Sequence, residues 1–157
     1  MVLKTFKTDR LLKVFLFVIA LFQCEISSAQ HFNPFQKNPF SLTAIPDGVG
    51  NSFPTFVDMD GDGDLDMMSG SYYGNFYYYK NIGTNSSPVF AAYQKNPFSL
   101  TAIPDGVGNS VPSFADMDGD GDLDMMSGSY YGNFYYYKNI GTNSSPVFAA
   151  YQKNPFS

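Results

Sequence analysis

The strongest constraint on this 157-residue chain is that it repeats itself. QKNPFSLTAIPDG begins at Gln36 and again at Gln94, a period of 58 residues, and QKNPFS begins a third time at Gln152. The two full copies differ at only three places: Phe53 against Val111, Thr55 against Ser113, and Val57 against Ala115. Halves this alike must fold as two like units, each burying its apolar surface against a neighbour. The expected division is 36–93 for the first repeat, 94–151 for the second and 152–157 for the start of a truncated third, with 30–35 as a lead-in. A chain that stops six residues into a copy reads as a fragment of a longer array or a recently duplicated gene.

Within a repeat the signals are those of strands and turns. FPTFV (53–57), LDMMSGS (65–71), GNFYYYKN (74–81) and PVFAAY (88–93) are short, apolar or aromatic, and punctuated by Gly, Pro and Asn. No 3.6-residue apolar period runs through residues 30–157. The expected fold is all-β: one four-stranded antiparallel sheet per repeat, the unit of a β-propeller blade. In the aromatic strand, alternation sends Phe76, Tyr78 and Lys80 to one side and Tyr77 and Tyr79 to the other. Both faces carry rings, as a blade held between two neighbours requires. The three differences between copies fall at alternate positions of one strand, hence on one face, and all are smaller in the second copy. The two blades should then meet different neighbours, and Phe at Val111 should overpack. Two blades cannot close a ring, which takes roughly four to eight. Further blades, or a homo-oligomer closing a propeller ring, are expected.

The second constraint is charge. DMDGDGDLD runs from Asp58 to Asp66 and returns at Asp116 to Asp124, and the two loops hold 10 of the 14 acidic residues. Asp58, Asp60, Asp62, Asp64 and Asp66, matched by Asp116, Asp118, Asp120, Asp122 and Asp124, form two candidate metal sites. Asp64 and Asp122 offer backbone carbonyls, with side chains expected in solvent. Hard cations such as Ca²⁺ take about six to eight oxygens, whereas Mg²⁺ demands a tighter octahedron. No thiol or imidazole stands in the loops to favour zinc. The expectation is one Ca²⁺ per repeat, two in all, bound in the extracellular range of about 10⁻⁴–10⁻³ M. An EF-hand would need an acid at loop position 12, where Ser69 and Ser127 stand, and a helix on each side.

The first 29 residues read as an export signal. Lys4, Lys7, Arg10 and Lys13 precede the apolar run Val14 to Phe22, and Ser27 and Ala29 fit a cleavage site after Ala29. An uncleaved anchor and a lipoprotein box at Cys24 remain as alternatives. The apolar run is too short to span a bilayer at about 20 residues, so no membrane insertion is expected after cleavage. Cleavage removes the single cysteine and leaves five lysines against twelve aspartates. That balance argues against nucleic acid and anionic membranes as partners. A secreted or cell-surface location, on the extracellular or periplasmic side, is expected.

Phe56–Asp66 (FVDMDGDGDLD), followed by Gly70 and Gly74, an aromatic strand and then NIGT…PVF, resembles the FG-GAP/VCBS repeat of integrin-α-like β-propellers. The resemblance covers roughly residues 32–157. It implies a calcium-binding DxDxDGxxD loop between the first two strands of each blade, with Asp58–Asp66 as one site and Asp116–Asp124 as the other. The literal Phe-Gly and Gly-Ala-Pro tripeptides are absent, which points to the VCBS branch.

No catalytic constellation is legible, and the protein is not expected to be an enzyme. Asp47 and Asp105 lie in Pro-Asp-Gly turns, where aspartate is expected for backbone reasons. Of the tyrosines, Tyr77, Tyr78 and Tyr79 are expected to pack between blades. Tyr72, Tyr73, Tyr130 and Tyr131 lie in loops and are the candidate ligand contacts. The functional expectation is a calcium-binding module for adhesion or for binding an extracellular glycan or protein. A purely structural calcium-rigidified array and an accessory module of a larger secreted enzyme are the alternatives.

Overall fold

The computed structural model describes residues 34–47, 50–105 and 108–155. The expected signal peptide (1–29) lies outside them. The compact unit Lys37–Ser157 is all-β, with two four-stranded antiparallel sheets. No helix among the described residues is long and apolar enough to cross a membrane.

The first sheet contains β1 (Ser52–Val57), β2 (Asp66–Ser71), β3 (Phe76–Tyr79) and β4 (Gln94–Lys95), hydrogen-bonded in that order. The second repeats it with β5 (Val111–Ala115), β6 (Asp124–Gly128), β7 (Phe134–Tyr137) and β8 (Gln152–Lys153). Val57 pairs with Asp66, and Ala115 with Asp124, so each acidic loop closes the first hairpin of its sheet. The tyrosine turn that joins β2 to β3 lies at the opposite end of the sheet.

The fourth strand is not the expected PVFAAY segment. Phe90 forms only an isolated bridge to Asn81. Its N–H goes to Phe40 O at 2.9 Å, and the next one, of Ala91, goes to Lys80 O at 2.9 Å. With its donors divided between two partners, the segment cannot form a ladder with either. Gln94 and Lys95 pair with Tyr78 and Tyr77 instead.

Both faces of β3 are buried, as alternation requires. Tyr77 and Tyr79 pack with Met67 and Phe90 under Leu42, Ile45 and Tyr93. Phe76 and Tyr78, with Val57, Met59 and Met68, meet Tyr135, Tyr137, Met125 and Phe148 of the second sheet. The connection between the sheets also packs here through Leu100 and Ile103. Phe76 meets Tyr137 edge-on at 5.7 Å, and Tyr78 meets Phe98 at 5.0 Å. The sheets are therefore stacked face to face like adjacent blades, and two of them close no ring.

The expectation that Phe at Val111 overpacks does not hold within the chain. Val111, Ser113 and Ala115 lie on the outer face of β5, and Val111 is 43 % exposed. Their counterparts Phe53, Thr55 and Val57 face the second sheet. The copies do meet different surroundings, but those of the second copy are open.

Candidate metal centre

Each acidic loop is folded by its own first aspartate. The Asp58 carboxylate accepts the Gly61 N–H at 2.8 Å and the Gly63 N–H at 3.0 Å, and Asp62 accepts the Asp64 N–H at 3.0 Å. Gly61 and Gly63 have φ of 73° and 89°, a backbone open to glycine with little strain. The second loop repeats this with Asp116 accepting from Gly119 at 2.7 Å and Gly121 at 3.1 Å. Curling in this way brings carboxylate oxygens of Asp58, Asp60 and Asp62 within 4.8 Å of one another, and likewise those of Asp116, Asp118 and Asp120. These two triads could each hold a metal ion.

The other four aspartates of the loops are placed differently. Asp66 and Asp124 are fully buried. Asp66 accepts from Tyr78 Oη at 2.8 Å, Asn81 N at 2.7 Å and Met59 N at 3.2 Å. Asp124 does the same with Tyr136, Asn139 and Met117. Burial pushes the Asp66 carboxyl above its ordinary value despite those bonds. Both residues tie the loop base to the aromatic strand. Asp64 and Asp122, expected in solvent, instead accept the backbone N–H of Asn85 at 2.7 Å and Asn143 at 2.8 Å.

Sequence reasoning missed three sets of residues. Asn85 clamps the loop, donating to Gly63 O at 2.6 Å and accepting from Leu65 N at 3.0 Å; Asn143 repeats this. Its signal was the recurrence of NSS at a fixed distance after each loop. Lys80 extends from the end of β3 to Asp60, and to Asp62 at 3.6 Å; Lys138 reaches Asp118, and Asp120 at 3.2 Å. The bond to Asp60 holds the Lys80 ammonium above its ordinary range, and the bond to Asp118 does the same for Lys138. A backbone N–H lowers Asp62 and Asp120, with the lysines adding to the effect. Lastly, Asp47 and Asp105 do more than turn the chain. Asp47 accepts from Tyr77, Ser71 and Asn75, and Asp105 from Tyr135 at 2.6 Å, Ser129 and Asn133.

The donor set suits a hard cation. The candidate ligand atoms of both triads are all carboxylate oxygens, and the lysines neutralise only part of their charge. Asp60 Oδ1 is buried with no hydrogen-bond donor among the described residues. A buried, unpaired carboxylate oxygen is costly unless a cation meets it.

The tyrosine pairs stand at the far end of the sheets. Tyr72 meets Tyr73 edge-on at 5.2 Å, and Tyr130 meets Tyr131 at 5.3 Å. Tyr73, Tyr130 and Tyr131 are exposed, and Tyr72 is half-buried. Tyr77, Tyr78 and Tyr79 are buried, with hydroxyls bonded to Asp47, Asp66 and Thr43 O.

These features define an all-β repeat protein of blade-like sheets, each with an acidic loop at its first hairpin. The model of the FG-GAP-like repeat family matches residues 58–127, from the first acidic loop into β6. Comparison with curated proteins and with solved structures gave no match.

Proposed function

We propose that the protein is an exported, calcium-binding FG-GAP-like module that engages a glycan or protein outside the cell. The observation that carries the metal reading is the repeated aspartate triad, with a buried, donorless oxygen at Asp60. Asp58, Asp60 and Asp62 would hold one Ca²⁺, and Asp116, Asp118 and Asp120 the other. The ion supplies the counter-charge that lets the first hairpin stay curled. The chain's own part is to fix the carboxylates through Gly61, Gly63 and Asn85 before the ion arrives. Support for a ligand role comes from the pairs Tyr72–Tyr73 and Tyr130–Tyr131, exposed at all but Tyr72, whose rings suit stacking on a sugar or an apolar side chain. The excess of twelve aspartates over five lysines in residues 30–157 fits a partner other than nucleic acid, and the basic leader fits export. No catalytic role is assigned.

The test is calorimetric titration with Ca²⁺, paired with melting curves in Ca²⁺ and in EDTA. Two ions should bind in the range of about 10⁻⁴–10⁻³ M, and melting should rise with Ca²⁺. Asp60→Asn should remove one of the two. Identical melting in Ca²⁺ and EDTA, with no binding heat, would refute the metal reading. For the ligand, a glycan array probed with the wild type and Tyr130→Ala should show binding that the variant loses. Binding to no glycan or protein would leave the purely structural array as the function.

A further inference from the structure

The two sheets are packed head to tail. The Phe76/Tyr78 face of the first meets the Tyr135/Tyr137 face of the second, and Tyr135 and Tyr137 are the repeats of Tyr77 and Tyr79. The contact thus joins two different surfaces, and each sheet carries both. A heterologous contact of this kind leaves one surface unused at each end of the pair.

On the second sheet the unused surface repeats the Phe76 face. Phe134 is 56 % exposed where Phe76 is 0 %, and Met117 is exposed where Met59 is buried. On the first sheet the unused surface repeats the Tyr135/Tyr137 face. A groove of about 300 Å³ there is lined in part by Leu42, Ile45, Ser52, Pro54, Met67 and Tyr79. The same positions on the second sheet, Leu100, Ile103, Ser110, Pro112, Met125 and Tyr137, are all buried. Phe40 and Phe56, at the edges of this surface, are both exposed.

A pair of glycines makes the same point independently. At Gly70 a Cβ would stand 1.8 Å from Ser110 O of the second sheet, so glycine is required by the close approach. A Cβ at its repeat Gly128 would meet nothing within 4 Å among the described residues, and neither residue has a positive φ. Among the described residues nothing requires Gly128 to be glycine. The acidic loops are just as unequal. Ser144 of the second repeat lies against Gly61 of the first loop, while a Cβ at Gly119 would meet nothing within 4 Å among the described residues.

We infer that the open face of the second sheet is the docking surface for the first sheet of another copy of this chain, packed as the two sheets are packed within one. Ser52 of the second copy lies against Gly128, as Ser110 lies against Gly70. Its Ser86 covers Gly119 as Ser144 covers Gly61. Pro54 and Phe56, the groups the docking sheet presents, are identical to Pro112 and Phe114. On the receiving side only Val111, Ser113 and Ala115 differ, each smaller than its counterpart. The contact between copies is therefore the contact within the chain with three side chains trimmed. Less apolar area is buried there, so this is the seam where an assembly would part. Repeating one heterologous contact closes a ring when its rotation allows, with roughly four to eight blades in all.

Sedimentation of the purified protein in calcium buffer, across the micromolar range, tests this with two variants. The wild type should associate. Gly128→Val, whose Cβ has nothing within 4 Å among the described residues of its own chain, should keep the circular dichroism of the wild type and sediment as a monomer. Val111→Phe, which restores the first-copy side chain, should associate at least as tightly as the wild type. A monomeric wild type, or Gly128→Val associating like the wild type, would overturn the inference. Neither variant touches an acidic loop, so such a failure leaves the metal reading standing.

Discussion

The seam between the sheets predicts that one substitution has opposite effects at two positions with the same sequence neighbours. Alanine at Gly70 places a methyl group 1.8 Å from Ser110 O and 2.5 Å from Ser110 C, both backbone atoms that cannot rotate away. The sheets must separate by more than 1 Å to restore an ordinary contact of about 3.5 Å. That movement strains three bonds: Ser71 N to Ser110 Oγ at 2.9 Å, Ser110 N to Ser71 O at 3.0 Å, and Ser110 Oγ to Asn75 O at 2.7 Å. At a net value of about 1 kcal/mol each, their loss costs about 3 kcal/mol, and Ser110 is fully buried, so water does not replace them. Retaining the bonds instead means overpacking, which costs about 1–3 kcal/mol. Gly70→Ala should therefore lose about 2–4 kcal/mol. Gly128→Ala meets nothing and narrows the unfolded ensemble, so it should be neutral or stabilising by up to about 1 kcal/mol. Urea denaturation, at a concentration where the chain is monomeric, measures both. With a slope of about 1–3 kcal/mol/M the midpoint of Gly70→Ala should fall by roughly 1 M or more. A Gly70→Ala midpoint within error of the wild type would refute the seam, and equal losses at both sites would refute the asymmetry.

Two further predictions concern charge. Asp105 is held down to about 2 from its ordinary 3.8, chiefly by the Tyr135 hydroxyl. The folded state therefore binds fewer protons than the unfolded chain in this interval. Stability should be fully present above about pH 4 and fall as the pH drops towards 2. Asp105→Asn should be less stable at neutral pH and lose less between pH 4 and 2; parallel curves in urea denaturation at several pH values would contradict this. Lys80 and Lys138 compete with a cation for the triads, so Lys80→Gln and Lys138→Gln should each tighten Ca²⁺ binding severalfold while lowering the melting temperature in EDTA. Weaker Ca²⁺ binding by either variant, read by calorimetry, would mean that the lysine supports the site instead of competing for it.

What the sequence made legible was what depends on near neighbours or on the repeat. The acidic loop closes a β1–β2 hairpin because two apolar runs flank it, and alternation alone assigned Phe76 and Tyr78 to one face and Tyr77 and Tyr79 to the other. The fourth strand was not legible, because two polar residues, Gln94 and Lys95, carry no apolar signal, whereas PVFAAY carries one and spends its donors elsewhere. The reach of Lys80 into the loop and the clamp from Asn85 span about twenty residues of chain, a distance set by the length of the hairpin and not by any local pattern. Asp47 and Asp105 show the same limit: Pro-Asp-Gly announces the turn, but the tyrosine that each carboxylate anchors lies 30 residues further on. The three differences between copies were read correctly as lying on one face, yet only the stacking shows that this face is covered in the first sheet and open in the second. A repeat makes local structure easy to read because every signal is seen twice. It hides what each copy packs against for the same reason, since Gly70 and Gly128 look alike in the sequence and differ only in what lies across from them.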